Sequence, residues 1–170
     1  MLKIIDNLKP FFEDNYRRIN VREYARIMKI SPPTASKQLQ EFHKEGLLKK
    51  EEDKQYIYYF ANGDSDFFID FSRIYWKKFL QDSGLVKRLE DEFLNPIIIL
   101  FGSLSKGEAK RDSDIDIAIF TSTKKQAKFE ALEKRLKRKI QLFIFKNRDD
   151  VKNPELLNNL LNGYKIRGNW

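Results

Sequence analysis

The chain has 170 residues, 41% hydrophobic, 34% charged and 14% aromatic, with a formal net charge of +8. That composition excludes a disordered chain, leaves room for two small domains or one medium one, and favours a polyanionic partner such as nucleic acid or a nucleotide. With no cysteine there are no disulfides or thiolate metal sites. No apolar run approaches the ~20 residues of a membrane span, and the N-terminus lacks a signal-peptide core, so the cytoplasm is expected and a membrane partner is not.

Residues 2–13 read as a helix with Ile4, Ile5, Leu8, Phe11 and Phe12 on one side, and Pro10 marks a kink or boundary. Asn20 followed by Glu23 predicts a capping box opening a helix whose Val21, Tyr24, Ala25 and Met28 face inward. Ser31 caps the next helix, with Pro32 in its first turn. Ala35, Leu39 and Phe42 recur along it at helical spacing, and Gly46 stops it. Leu47–Lys50 and Gln55–Phe60 are strand-like, joined by Glu51-Glu52-Asp53-Lys54 into a hairpin.

Two helices joined by a tight turn and followed by a hairpin, over roughly residues 15–61, resemble the winged helix-turn-helix domains of bacterial and archaeal transcription regulators. The resemblance implies that Pro32–Lys44 is a recognition helix and DNA a partner, with Thr34, Ser36, Lys37 and Gln40 reaching base edges or phosphates. The acidic hairpin tip Glu51-Glu52-Asp53 would repel a phosphate backbone, which keeps open a protein-docking or dimerisation role. His43, the one histidine, reads as a solvated side chain.

From Asp64 to about Phe93 the chain reads helical, capped by Asp64 or Ser65 and broken at Ser83-Gly84. Phe67, Phe68, Phe71, Tyr75, Trp76 and Phe79 lie on several sides of the first piece. Such a helix needs more burial than one neighbour gives, which predicts a linker that is also an interface, between domains or between copies. Together with the palindromic DNA sites such domains read, this points to a homodimer.

The most informative stretch is Pro96–Phe120, PIIILFGSLSKGEAKRDSDIDIAIF. It reads as a buried strand (Ile97–Phe101), a Gly102-Ser103 turn, a short helix and polar loop, then a second strand. In that second strand Asp114 and Asp116 alternate with Ile115, Ile117 and Ile119, so the carboxylates share one face. Two adjacent carboxylates repel unless a cation lies between them, and hard oxygen ligands with room for water suit magnesium. Gly102 permits close approach of a ligand, Ser103 adds a hydroxyl, and Lys106 adds a cation a turn later. A phosphate cradle beside a metal-binding pair implies metal-assisted phosphoryl or nucleotidyl transfer.

GSLSKGEAKRDSDID resembles the signature of the polymerase-beta-type nucleotidyltransferase superfamily, in particular its minimal nucleotidyltransferases. The resemblance covers roughly Pro96 to the C-terminus and implies an NTP held at Gly102 and Ser103, with Mg2+, two ions in number, at a catalytic pair Asp114 and Asp116. Asp112 and Ser113 match the family's common lead-in. Active members generally carry a third carboxylate on a later strand, and here the strand Lys139–Phe145 offers Gln141 at that position. Asp149, Asp150 and Glu130 are no clear replacement.

After the metal strand, Thr121–Leu136 reads as a basic helix bearing Lys124, Lys125, Lys128, Lys134 and Arg135, either a solvated face or a platform for an anionic polymer or the substrate's phosphates. Pro154 opens a last helix that Gly163 ends, and the tail YKIRGNW adds an edge strand or simply packs. The expected fold is α/β (α+β): a winged helix-turn-helix over 1–61, a helical linker over 62–95, and a nucleotidyltransferase-like mixed β-sheet with flanking helices over 96–170. Two function classes follow. One is a magnesium-dependent nucleotidyltransferase that passes an NMP to an acceptor hydroxyl. The other is a DNA-binding regulator whose degenerate domain binds a nucleotide or a partner protein, an antitoxin role included.

Overall fold

The computed structural model describes residues 2–123, 125 and 127–170. They form two compact units, one of those within 1–72 and 107–111, the second of those within 73–106 and 112–170.

The first unit runs α1 (Leu2–Glu13), β1 (Ile19–Asn20), α2 (Val21–Met28), α3 (Pro32–Lys44), β2 (Leu48–Asp53) and β3 (Tyr56–Ala61). Pro10 lies inside α1. Asn20 caps α2 through its side-chain oxygen, which accepts from the Glu23 N–H at 2.9 Å. The Glu23 carboxylate turns instead to Arg17, at 2.6 Å. Lys29, in the left-handed region at φ 55°, ends α2, and the Ser31 hydroxyl caps α3. The antiparallel sheet has the order β1-β3-β2, with β2 and β3 paired from Leu48–Ala61 to Asp53–Tyr56. Leu8, Phe11, Phe12, Tyr24, Ala35 and Leu39 are fully buried between helices and sheet. This is the pattern the helical spacing predicts.

α4 (Asp66–Asp82) starts in this unit and from Arg73 onward belongs to the second. Gly84, at φ 77°, separates it from α5 (Leu85–Glu92). There follow β4 (Ile97–Phe101), α6 (Gly102–Lys106), β5 (Ile115–Phe120), α7 (Glu130–Leu136), β6 (Ile140–Phe145), a 3-10 turn at Arg148–Asp150, α8 (Pro154–Leu161) and β7 (Tyr164–Arg167). The sheet order is β6-β5-β4-β7, with β5 and β6 parallel and the other pairs antiparallel. The tail therefore adds an edge strand.

β4 is buried on both faces, which is why it is an unbroken apolar run. Ile97, Ile99, Phe101, Ala118 and Phe120 pack with Leu160 and Val151 on one face, where Leu156 and Leu157 of α8 join them. Ile98, Leu100, Ile115, Ile117 and Ile119, which alternate with these residues or with the aspartates, are all 0% exposed.

The basic helix is shorter than its sequence pattern. α7 begins at Glu130, and residues 121–123, 125 and 127–129 are not helical. The Thr121 hydroxyl donates to the Leu94 carbonyl at 3.2 Å, and the Thr123 hydroxyl accepts from the Leu94 N–H at 3.1 Å. Threonine hydroxyls engaged this way compete with helix formation. Lys124 lies outside the described residues, and Lys125 and Lys128 lie before the helix. Among the described residues, no helix is long and apolar enough to cross a membrane.

Candidate active site

The site grows from the sheet register. Asp116 lies opposite Phe101, the last residue of β4, on one side and opposite Gln141 of β6 on the other. In-register neighbours project to the same face, so Gln141 stands beside Asp116. Asp114 and Asp116 are partly exposed while Ile115 and Ile117 between and beyond them are 0% exposed. The alternation read from sequence thus puts both carboxylates on one face of β5.

The chain leaves β4 directly against this pair. Gly102 has φ +68°, and a Cβ there would lie 2.1 Å from Asp116 Oδ2. Glycine is needed twice over, for the backbone conformation and for the space. α6 is then pinned in place. Leu104 is 0% exposed, the Ser105 hydroxyl donates to the Gly102 carbonyl at 3.0 Å, and Arg73 Nε donates to the Ser105 carbonyl at 2.8 Å. Ser103 is half-buried at the head of α6, and Lys106 is exposed at its end, its Nζ 2.9 Å from Asn159 Oδ1.

Burial, and then the neighbouring Asp114, push the Asp116 carboxyl up to about 6. The Asp116 carboxyl is therefore mostly ionised at neutral pH, and its charge beside Asp114 is one that a cation relieves. Asp114 Oδ2 accepts a hydrogen bond from Gln141 Nε2 at 2.6 Å. Two further acids of this region serve backbone caps: Glu133 Oε1 accepts from the Ile140 N–H at 2.8 Å, and Asp150 Oδ2 accepts from the Lys146 N–H at 3.0 Å. Among the described residues, no group of three or more acidic or histidine side chains is placed to hold a metal. Two carboxylates on one face still fit a magnesium ion bound mainly by water and substrate phosphates, which needs only one or two protein oxygens.

Arg138 is a structural member of the site that composition hid within a basic run. Only 9% exposed, it donates from Nη1 to the Ser113 carbonyl at 2.6 Å, and its guanidinium lies 5.0 Å from the centroid of the Trp76 ring. It anchors the backbone just before Asp114. Nothing in the sequence separates it from Lys137 and Lys139, which are exposed. Those two lysines, Lys134, Asp112 and Asp114 line one open cleft of about 510 Å³ with Arg138.

In the first unit, Thr34, Lys37 and Gln40 are exposed on α3 and Ser36 is half-buried. The Thr34 and Ser31 hydroxyls lie 2.8 Å apart, and Gln40 Nε2 donates to the Ser36 hydroxyl at 3.3 Å. The hairpin carboxylates are paired with cations. Arg18 Nη2 lies 3.3 Å from Glu51 and 3.5 Å from Asp53, and Lys50 lies 3.0 Å from Glu52.

A mixed sheet that sets a glycine turn against a strand-borne aspartate pair is an arrangement suited to nucleotide phosphates and a metal. Residues 83–166, which contain β4, the turn and both aspartates, match the family model described as nucleotidyltransferase domain. Over those residues the chain is similar to a nucleotidyltransferase domain. No match was found among curated proteins or among solved structures.

Proposed function

We propose that the protein is a magnesium-dependent nucleotidyltransferase that moves an NMP from an NTP to an acceptor hydroxyl, and that its N-terminal region is a winged helix-turn-helix that binds DNA. The observation that carries the first part is the packing of Gly102 against Asp116, with Asp114 alongside. In this reading the Gly102-Ser103 turn takes the triphosphate through its amides and the Ser103 hydroxyl, and Lys106 supplies a further positive charge. Asp114 and Asp116 hold the metal, which offsets the charge of the triphosphate and favours the ionised acceptor. The hydrogen bond from Gln141 and the anchoring of Ser113 by Arg138 fix the orientation of Asp114. The acceptor oxygen bonds to the α-phosphorus as the bond to pyrophosphate breaks, and catalysis is largely positioning and charge. Binding of labelled NTP tests the site directly. Magnesium-dependent binding that Asp114→Ala and Asp116→Ala both abolish supports it, and binding indifferent to both substitutions overturns it.

The DNA part rests on α3 and the hairpin. The pairing of Glu51 and Asp53 with Arg18 weakens the objection that an acidic wing repels phosphates. A second reading, a nucleotide-sensing DNA-binding regulator without turnover, is favoured by one observation, the amide of Gln141 on Asp114 where active relatives have a carboxylate. Product formation separates the two.

A further inference from the structure

Gln141 is more than a missing acid. It stands in register with Asp116, and its Nε2 donates to Asp114 Oδ2 at 2.6 Å, a short charge-assisted bond. A carboxylate here would add oxygen ligands and a negative charge to the pair. The amide nitrogen instead directs N–H groups, with their partial positive charge, at Asp114 Oδ2. The bond occupies one lone pair of Asp114 Oδ2 and drains negative charge from it, so this oxygen is the poorer ligand, and the other Asp114 oxygen and Asp116 are left for metal. A second observation runs the same way. The open cleft beside Asp114 is lined by Lys134, Lys137, Arg138 and Lys139 as well as by Asp112 and Glu133, so the cations outnumber the acids there and oppose a further cation. Glu133 and Asp150 are held in backbone caps.

We propose that Gln141 confines the site to a single divalent cation, the one that arrives with the nucleotide. The proposal rests on the metal–nucleotide reading of Asp114 and Asp116 and specifies its stoichiometry. Gln141 is a specificity-determining residue here, selecting one ion over two.

Manganese counts the ions without any need for turnover. Equilibrium dialysis with saturating α,β-methylene analogues of the four NTPs, tested separately, gives Mn2+ bound per chain. Electron paramagnetic resonance shows whether two ions lie within the roughly 4 Å of a paired site. The expected result is one Mn2+ per wild-type chain with an isolated-ion spectrum, and two with a coupled spectrum for Gln141→Glu. If Gln141→Glu loses its near-ultraviolet circular dichroism, Gln141→Asp supplies the count. Two ions in the wild type overturn the proposal while leaving the metal–nucleotide reading intact, and one ion in both acidic variants overturns it equally. Retention of neither Mn2+ nor nucleotide by the wild type removes the site itself, and both readings fall together.

Discussion

Burial and Asp114 together raise the Asp116 carboxyl from its ordinary value of 3.8 to about 6, so the folded protein holds this proton more tightly than the unfolded chain. The stability this group contributes is therefore fully present below 3.8 and is lost as pH rises through about 6. Asp116→Asn removes that loss. Without metal, the variant should melt higher than wild type near pH 8, on the order of 2–4 °C if ~1 kcal/mol is recovered, and the difference should shrink towards pH 4. Metal needs the ionised form, so Mn2+–nucleotide affinity should weaken as pH falls through about 6. Affinity that is flat across that interval would show that Asp116 is no ligand. Gly102 offers a steric counterpart. Gly102→Ala places a methyl 2.1 Å from Asp116 Oδ2 at φ +68°, displacing one or the other. A shift of about 1 Å at the reacting groups costs roughly 100-fold in rate. Loss of transfer on that scale, with far-ultraviolet circular dichroism unchanged, is the expected outcome.

Among the elements, those set by their own residues were legible and those set by distant partners were not. The turn, the strand and the aspartate alternation of β4–β5 follow from local patterning, and so do the caps at Asn20 and Ser31. Asn20→Ala should cost about 1 kcal/mol, read as a lower denaturant midpoint with an unchanged slope. α7 starts later than its periodicity predicts because Thr121 and Thr123 bind Leu94, 27 and 29 residues away, a partner that helical periodicity does not see. The cation that pairs with the acidic hairpin, Arg18, lies 35 residues from Asp53, beyond the reach of local pattern. The capping box was half right, since Glu23 found Arg17. For α3 the expected behaviour is specific. If Lys37 meets a phosphate, Lys37→Ala should weaken binding to any duplex and lower the slope of log affinity against log salt by about 1. An unchanged slope would favour a protein-docking role for the hairpin and α3.

At the scale of the whole molecule, neither compact unit is one continuous stretch of chain. The loop of residues 107–111, which joins the Gly102-Ser103 turn to Asp114, folds as part of the N-terminal unit. There Ala109 is fully buried and its carbonyl accepts from the Asn15 N–H at 2.8 Å. No pattern in the sequence announces this, because a short polar loop looks the same whether it is solvated or packed. The net charge of +8 was legible from the start, but its use was not. Part of it is spent internally, on Arg138 against Ser113 and on Arg18 against the hairpin.

The central claim is that Asp114 and Asp116 support NMP transfer. The most direct measurement is incubation of the protein with magnesium and each α-labelled NTP in turn, with RNA, DNA and protein offered as acceptors and Asp114→Ala run in parallel. The account predicts label passed to one acceptor class by the wild type and not by Asp114→Ala. Label transfer undiminished in Asp114→Ala, or no transfer to any acceptor by a wild type that binds magnesium and NTP, would contradict it.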